Sequence, residues 1–146
     1  MQLALAESCT GGMACAALTD IAGSSDVLER GYVTYSNASK VEMLGVDADS
    51  VESFGAVSEE VAMMMAQGAF QRSRADIGAS ITGIAGPSGA SDNKPVGLVC
   101  FAVCIKGNTP VHEERKFGDL GRHNVRVKAV LQLFALITRA VLNSSD

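Results

Sequence analysis

The chain has 146 residues, a formal net charge of −4, and 47% hydrophobic against 19% charged residues. That is enough apolar side chain for the core of one compact domain, and the acidic balance argues against a nucleic-acid partner, which needs a basic field. No apolar run approaches the ~18 residues of a membrane span and no signal-peptide pattern is present, so the expectation is a soluble, cytoplasmic protein with no membrane partner.

The stretch LALA, residues 3–6, reads as a short buried strand. Ser8 or Thr10 is placed to cap a helix over residues 12–19, whose small Ala14, Ala16 and Ala17 allow close packing. DIAGSSD is a turn, and GYVTYS, residues 31–36, alternates and is rich in β-formers, so it is a second strand. NASKVEML starts on a cap candidate, Asn37, and predicts a short helix; another covers residues 47–53. The clearest helix follows Ser58, a good N-cap with Glu59 and Glu60 at the positive end and Val61, Met64, Met65 and Gly68 at helical spacing. IGASI is a short strand that runs into TGIAGPSGASDNKPVG, too broken by Gly, Pro and Ser for regular structure. VGLVCFAVCI is a buried strand and VHEERKF its more exposed antiparallel neighbour. Asp119 or Asn124 caps a last helix, residues 125–142, with an apolar stripe of Val127, Val130, Leu131, Phe134, Ile137 and Val141. The interleaving predicts a single layered α/β/α domain with a mixed sheet. The chain starts at a strand; a missing cover helix would leave an apolar face for a partner subunit, so a homo-oligomer such as a dimer is expected.

Four segments could carry chemistry. ESCTGG places Glu7, Ser8, Cys9 and Thr10 at a strand end ahead of Gly11 and Gly12. That pattern serves a plain helix cap, a phosphate cradle, or a serine nucleophile whose oxyanion is held by the amides of Thr10 to Gly12. TYSNASK offers Tyr35 and Lys40; a lysine desolvated near Ser8 would be a general base, or it is a solvated helix residue. TGIAGPSG offers Thr82 and the freely curling Gly83 and Gly86 to a ribose or phosphate, and Lys94 either closes over an anion or faces water. FGDLGRHNVR carries Arg122 and Arg126 four apart, suited to a phosphate or to an ordinary solvated face. His112 and His123 read as surface or capping residues. Four cysteines without a CxxC pair, beside two histidines, argue against a zinc site, and Cys100 and Cys104 look like core residues of a reducing compartment. Convergence of the four segments on one pocket would suit a small phosphorylated amide or ester.

AESCTGG, DIAGSS, ERGYVTYSNASK, LGV, GAVSEEVA, ITGIAGPSG and KPVG occur in that order, within a likeness that covers roughly residues 4–130. Together they resemble the C-terminal domain of the competence/damage-inducible protein CinA, a family that includes stand-alone nicotinamide-nucleotide amidohydrolases. The resemblance implies hydrolysis of the carboxamide of nicotinamide mononucleotide to nicotinate mononucleotide and ammonia, without metal or cofactor. It implies Ser8 as nucleophile, Lys40 as general base, Tyr35 as a catalytic or orienting neighbour, Thr82 as a pocket hydroxyl, and one arginine at the last helix on the substrate. The family pattern F-x-GDR-x-x-VR is met here by FGDLGRHNVR, which leaves Arg122 and Arg126 as alternatives. Members usually carry a helix before AES, where this chain has MQLAL. The rival reading is a nucleotide-binding or regulatory module of the same family that has lost catalysis.

Overall fold

Side chains alternate along β1 (Leu3–Glu7), and the two rows have different sizes. Leu3 and Leu5 join one core cluster, whereas Ala4 and Ala6 join the other. The same split recurs in β4 (Leu98–Ile105): Val99, Phe101, Val103 and Ile105 face one way, Cys100, Ala102 and Cys104 the other. One face of the sheet is therefore bulky and the other shallow, and helices pack on both. The computed structural model describes residues 1–144.

The remaining elements are α1 (Met13–Thr19), β2 (Leu28–Val33), α2 (Asn37–Leu44), α3 (Ala48–Phe54), α4 (Glu59–Gln71), β3 (Ile77–Gly83), β5 (Val111–Lys116) and α5 (Arg122–Asn143). The sheet order is β2-β1-β3-β4-β5. β1 pairs in parallel with β2 and β3, while β3–β4 and β4–β5 are antiparallel. Helices α1 and α5 cover the bulky face; α2, α3 and α4 contribute to the shallow one. The molecule is an α/β/α domain with a mixed sheet, as the interleaved pattern implies. Among the described residues no helix is long and apolar enough to cross a membrane.

The shallow face lets α4 lie close. A Cβ on Gly78 would press on the Ala66 carbonyl and stand 2.6 Å from Phe70 N, so only glycine fits beneath that helix. Ser80, fully buried beside it, donates its hydroxyl to Ala62 O at 2.6 Å. Ser58 caps α4 by accepting from Val61 N, and Ser36 caps α2 by accepting from Ser39 N.

The bounds of β2 and the start of α5 differ most from the sequence reading. β2 occupies Leu28–Val33 and stops before Thr34 and Tyr35, which lie in the connection to α2. It is an edge strand, half-exposed, and its alternation is too weak to mark its ends. Helix α5 begins at Arg122 behind Gly121, and neither Asp119 nor Asn124 caps it. Its core face is Val125, Ala129, Val130, Leu133 and Leu136, while Val127 and Leu131 of the expected stripe are exposed.

The chain leaves β1 towards β2 on one side, then crosses over to β3 on the other. The carboxyl ends of β1 and β3 thus bound a topological switch point, where open α/β sheets leave a crevice.

Candidate active site

A crevice of about 270 Å³ opens at that switch point, and its lining includes Ser8, Tyr35, Lys40, Thr82, Gly86 and Arg122. They come from the carboxyl ends of β1, β2 and β3, from α2 and from the start of α5. Ser8 follows β1 and still donates its N–H to Ile81 O of β3 at 3.0 Å, so its main chain is fixed by the sheet. Two residues after Ala6, its side chain lies on the shallow face, the side from which α2 approaches.

Lys40 is the largest of the fully buried side chains, 1% exposed. It sits on α2 four residues before Leu44, the other buried position of that helix, so a helical period places it on the core-facing side. Its Nζ lies 3.0 Å from Ser8 Oγ and donates to Thr34 O at 2.8 Å. Among the described residues it has no carboxylate partner. Burial therefore holds its pKa below the ordinary 10.5, against a smaller opposing pull from Cys9. A lysine that is short of charge stabilisation and touches a serine hydroxyl is a candidate general base for it.

Cys9 also lines the crevice, but it is buried and burial pushes its thiol up to about 11. It stays a thiol and packs as a core residue, so the intrinsically stronger nucleophile of the pair is switched off. Cys100 and Cys104 are buried free thiols in β4, at about 12 and about 11 for the same reason.

Glu7 is the residue that motif reading passed over. It is 0% exposed and on the bulky face, below the start of α1. Its Oε2 accepts from Thr10 Oγ1 at 2.6 Å, Gly12 N at 3.1 Å and Ala14 N at 3.0 Å, and its Oε1 accepts from Cys15 N at 2.9 Å. One carboxylate thus satisfies three of the orphan amides around the helix start, which the expected Ser8 or Thr10 cap does not. The signal in the sequence was an acid ending an apolar strand with no basic neighbour. Gly11 and Gly12, with φ of 56° and 102°, make the left-handed bend that brings those amides round.

This arrangement sorts the remaining candidates. The N–H of Gly11 donates to Ser8 O and that of Gly12 to Glu7, so neither faces the crevice as a free donor. The amide of Thr10 has no partner among the described residues. Thr82 Oγ1 donates to Ala56 O at 2.7 Å and keeps its lone pairs for the crevice. Arg122 donates through Nη1 to Gly86 O at 2.8 Å and through Nη2 to Tyr35 Oη at 2.7 Å, tying three walls together at the mouth. Tyr35 is 58% exposed there. Arg126 does not line the crevice; it donates to Cys9 O and Thr10 O from behind the turn. Lys94 Nζ ties its loop to Phe54 O rather than closing on the crevice. His112 pairs with Glu59 at 2.8 Å, and His123 is exposed. No group of three or more His, Cys, Asp or Glu side chains that could hold a metal occurs among the described residues.

The fold and crevice define a class: a small mixed-sheet α/β/α domain with a serine–lysine contact at the switch point. The family model for the CinA C-terminal domain matches residues 1–141, and the chain belongs to that family. The crystal structure of the competence/damage inducible protein CihA from Agrobacterium tumefaciens is similar, with a TM-score of 0.94 at 46% identity over 95% of this chain and 84% of that one. A CinA superfamily protein from Escherichia coli gives 0.90 at 36% identity, over 96% and 80%. A CinA-like protein of Mycolicibacterium vanbaalenii is 48% identical over 95% of this chain and 33% of its own length. The chain spans about a third of the length of the curated relatives it matches.

Proposed function

We propose that this domain hydrolyses the carboxamide of nicotinamide mononucleotide, releasing ammonia and nicotinate mononucleotide, with Ser8 as nucleophile and Lys40 as general base. The observation that carries the reading is the 3.0 Å contact between Ser8 Oγ and a buried amine that has no acid to keep it charged. Neutral Lys40 takes the proton of Ser8 Oγ as that oxygen attacks the amide carbon. The oxyanion collapses, the C–N bond breaks, and the ammonium of Lys40 returns its proton to the leaving nitrogen, which departs as ammonia. Water then attacks the ester carbonyl, Lys40 takes its proton and passes it to Ser8 Oγ as the C–Oγ bond breaks, and nicotinate mononucleotide leaves.

The substrate class rests on the resemblance together with the mouth of the crevice. Arg122 is a guanidinium at the opening, and it suits a phosphate that stays near solvent while the amide reaches the serine. The glycine-flanked loop after β3 supports a ribose, with Thr82 as an acceptor. Binding energy from phosphate and ribose would then orient an amide that has little recognition of its own.

Ammonia release should be measured with nicotinamide mononucleotide, nicotinamide riboside and nicotinamide in parallel. The expected result is turnover of the mononucleotide, with kcat/KM at least about a hundredfold higher than for the riboside, the worth of two charge-assisted hydrogen bonds. Equal kcat/KM on the unphosphorylated compounds would reject the phosphate reading, and no turnover of any of them would reject the amidase.

A further inference from the structure

The turn that carries Ser8 is gripped from two sides. Glu7 holds Thr10, Gly12, Ala14 and Cys15 on one. On the other, Arg126 Nε donates to Cys9 O and Arg126 Nη2 to Thr10 O, both at 3.0 Å. Arg126 is half-buried and makes no ion pair among the described residues. Its rigid fork is committed to two successive main-chain carbonyls, a contact that a lysine cannot reproduce. Its own backbone is pinned by Val125 and Ala129, both fully buried in the core beneath α5.

Peptide planarity makes the grip directional. Gly86–Pro87 is the one cis peptide among the described residues, so the Cys9–Thr10 and Thr10–Gly11 bonds are trans, with N–H opposite C=O. With both carbonyls drawn to Arg126, the N–H groups of Thr10 and Gly11 point away from it. The Gly11 N–H meets Ser8 O at 3.0 Å, which marks that opposite side as the Ser8 side. The Thr10 N–H faces the same way and has no partner among the described residues.

We infer that Arg126 is a positioning residue for acyl transfer at Ser8: it holds the Cys9 and Thr10 carbonyls so that the Thr10 amide is aimed at the oxyanion that forms beside the serine. The inference rests on Ser8 being the nucleophile. It gives the two arginines of α5 separate tasks. Arg122 faces the ligand at the mouth, and Arg126, one turn further on, acts through the main chain without touching substrate.

The test uses Arg126→Ala, Arg126→Gln and Arg126→Lys in the full chain, each checked by thermal melting. One readout is the rate at which a fluorophosphonate labels Ser8, located by mass spectrometry. In that reaction Ser8 Oγ bonds to phosphorus, fluoride leaves, and the serine proton passes to Lys40, so it needs the oxyanion donor but no nicotinamide. The other is ammonia release from nicotinamide mononucleotide. R126A should label about tenfold to a hundredfold more slowly, the effect of weakening one oxyanion donor. Its kcat should fall by a similar factor with KM within about twofold of wild type and the pH midpoint unmoved, and millimolar guanidinium ion should restore part of the rate. Labelling of R126A at the wild-type rate, or a loss confined to KM, overturns the inference. If R126A does not fold, R126K carries the comparison, with a smaller loss expected and wild-type labelling overturning the idea. Wild-type protein that labels at Ser8 but leaves nicotinamide mononucleotide intact would reject the substrate while the labelling rates still decide the role of Arg126. Wild-type protein unlabelled at Ser8 rejects both.

Discussion

Glu7→Gln isolates what the buried carboxylate does, because it keeps the size and shape of the side chain. In the native turn Oε2 accepts three hydrogen bonds and Oε1 accepts one from Cys15 N. A glutamine has one acceptor oxygen. Placed at Oε2 it retains three partners, all without charge assistance, and its NH2 group then confronts the Cys15 N–H donor to donor. One charge-assisted bond lost is worth about 1.5–3 kcal/mol, and an amide left unsatisfied in a buried site adds about 1–3, part of which is the same loss counted from the other side. The net cost is therefore about 2–4 kcal/mol. For a domain of this size each kcal/mol lowers Tm by about 2–4 °C, so E7Q should melt roughly 5–15 °C below wild type. Hydrogen exchange should localise the damage, with the amides of Ala14 and Cys15 losing protection before those of β4. An E7Q protein that melts with the wild type, its α1 amides equally protected, would refute the claim that this carboxylate holds the nucleophile turn.

Other consequences follow from the same geometry. Burial lowers the Lys40 pKa in the folded state, so the unfolded chain binds more protons between that lowered value and 10.5; stability should rise with pH across this window, and the full cost is present below it. Lys40→Met should abolish ammonia release, flatten that alkaline rise in denaturant unfolding, and raise stability at neutral pH; a destabilised K40M would show that the lysine is not a buried cost. Wild-type kcat/KM should climb with pH along an acid limb whose midpoint lies below 10.5, and a limb at or above that value would contradict a desolvated base. Arg122→Ala should lower kcat/KM for the mononucleotide about a hundredfold, mainly through KM, and that for the riboside much less, through the lost ties to Gly86 O and Tyr35; an equal loss on both would remove phosphate from its role. Cys9→Ala should keep most of the activity, and Cys9 should resist iodoacetamide at pH 8 because its thiol titrates near 11; rapid alkylation would overturn its assignment as a packing residue.

Much of the fold was legible because period-2 and period-3.6 patterns survive in the buried elements. β3 and β4 are buried on both faces, and α4 announces itself through its Ser58 cap and acidic first turn. The edge strand β2 was less legible, since half-exposed residues need not alternate. In α5 the stripe was drawn through the larger side chains. The helix lies so close to the sheet that Ala129 fills a core position, which rotates the buried face away from Val127 and Leu131. At the site, ESCTGG and TYSNASK left Ser8 and Lys40 open between ordinary and functional roles, and the family resemblance singled them out, because a lone lysine on a short helix does not show from sequence which way it faces. Glu7 was not singled out, because its partners are main-chain amides that leave no mark on residue identity. Arg122 and Arg126 could not be separated for a related reason. Four residues of helix advance only about 6 Å, and that distance moves a guanidinium from the mouth of the crevice to the back of the turn.

The most direct test of the account is ammonia release from nicotinamide mononucleotide by Ser8→Ala beside wild type, with both proteins shown to melt cooperatively. Removing the hydroxyl deletes the proposed nucleophile and leaves the sheet bond from Ser8 N to Ile81 O in place. The account predicts a folded S8A that releases no ammonia above the uncatalysed rate, while wild type turns over. A folded S8A that releases ammonia at the wild-type rate would contradict it.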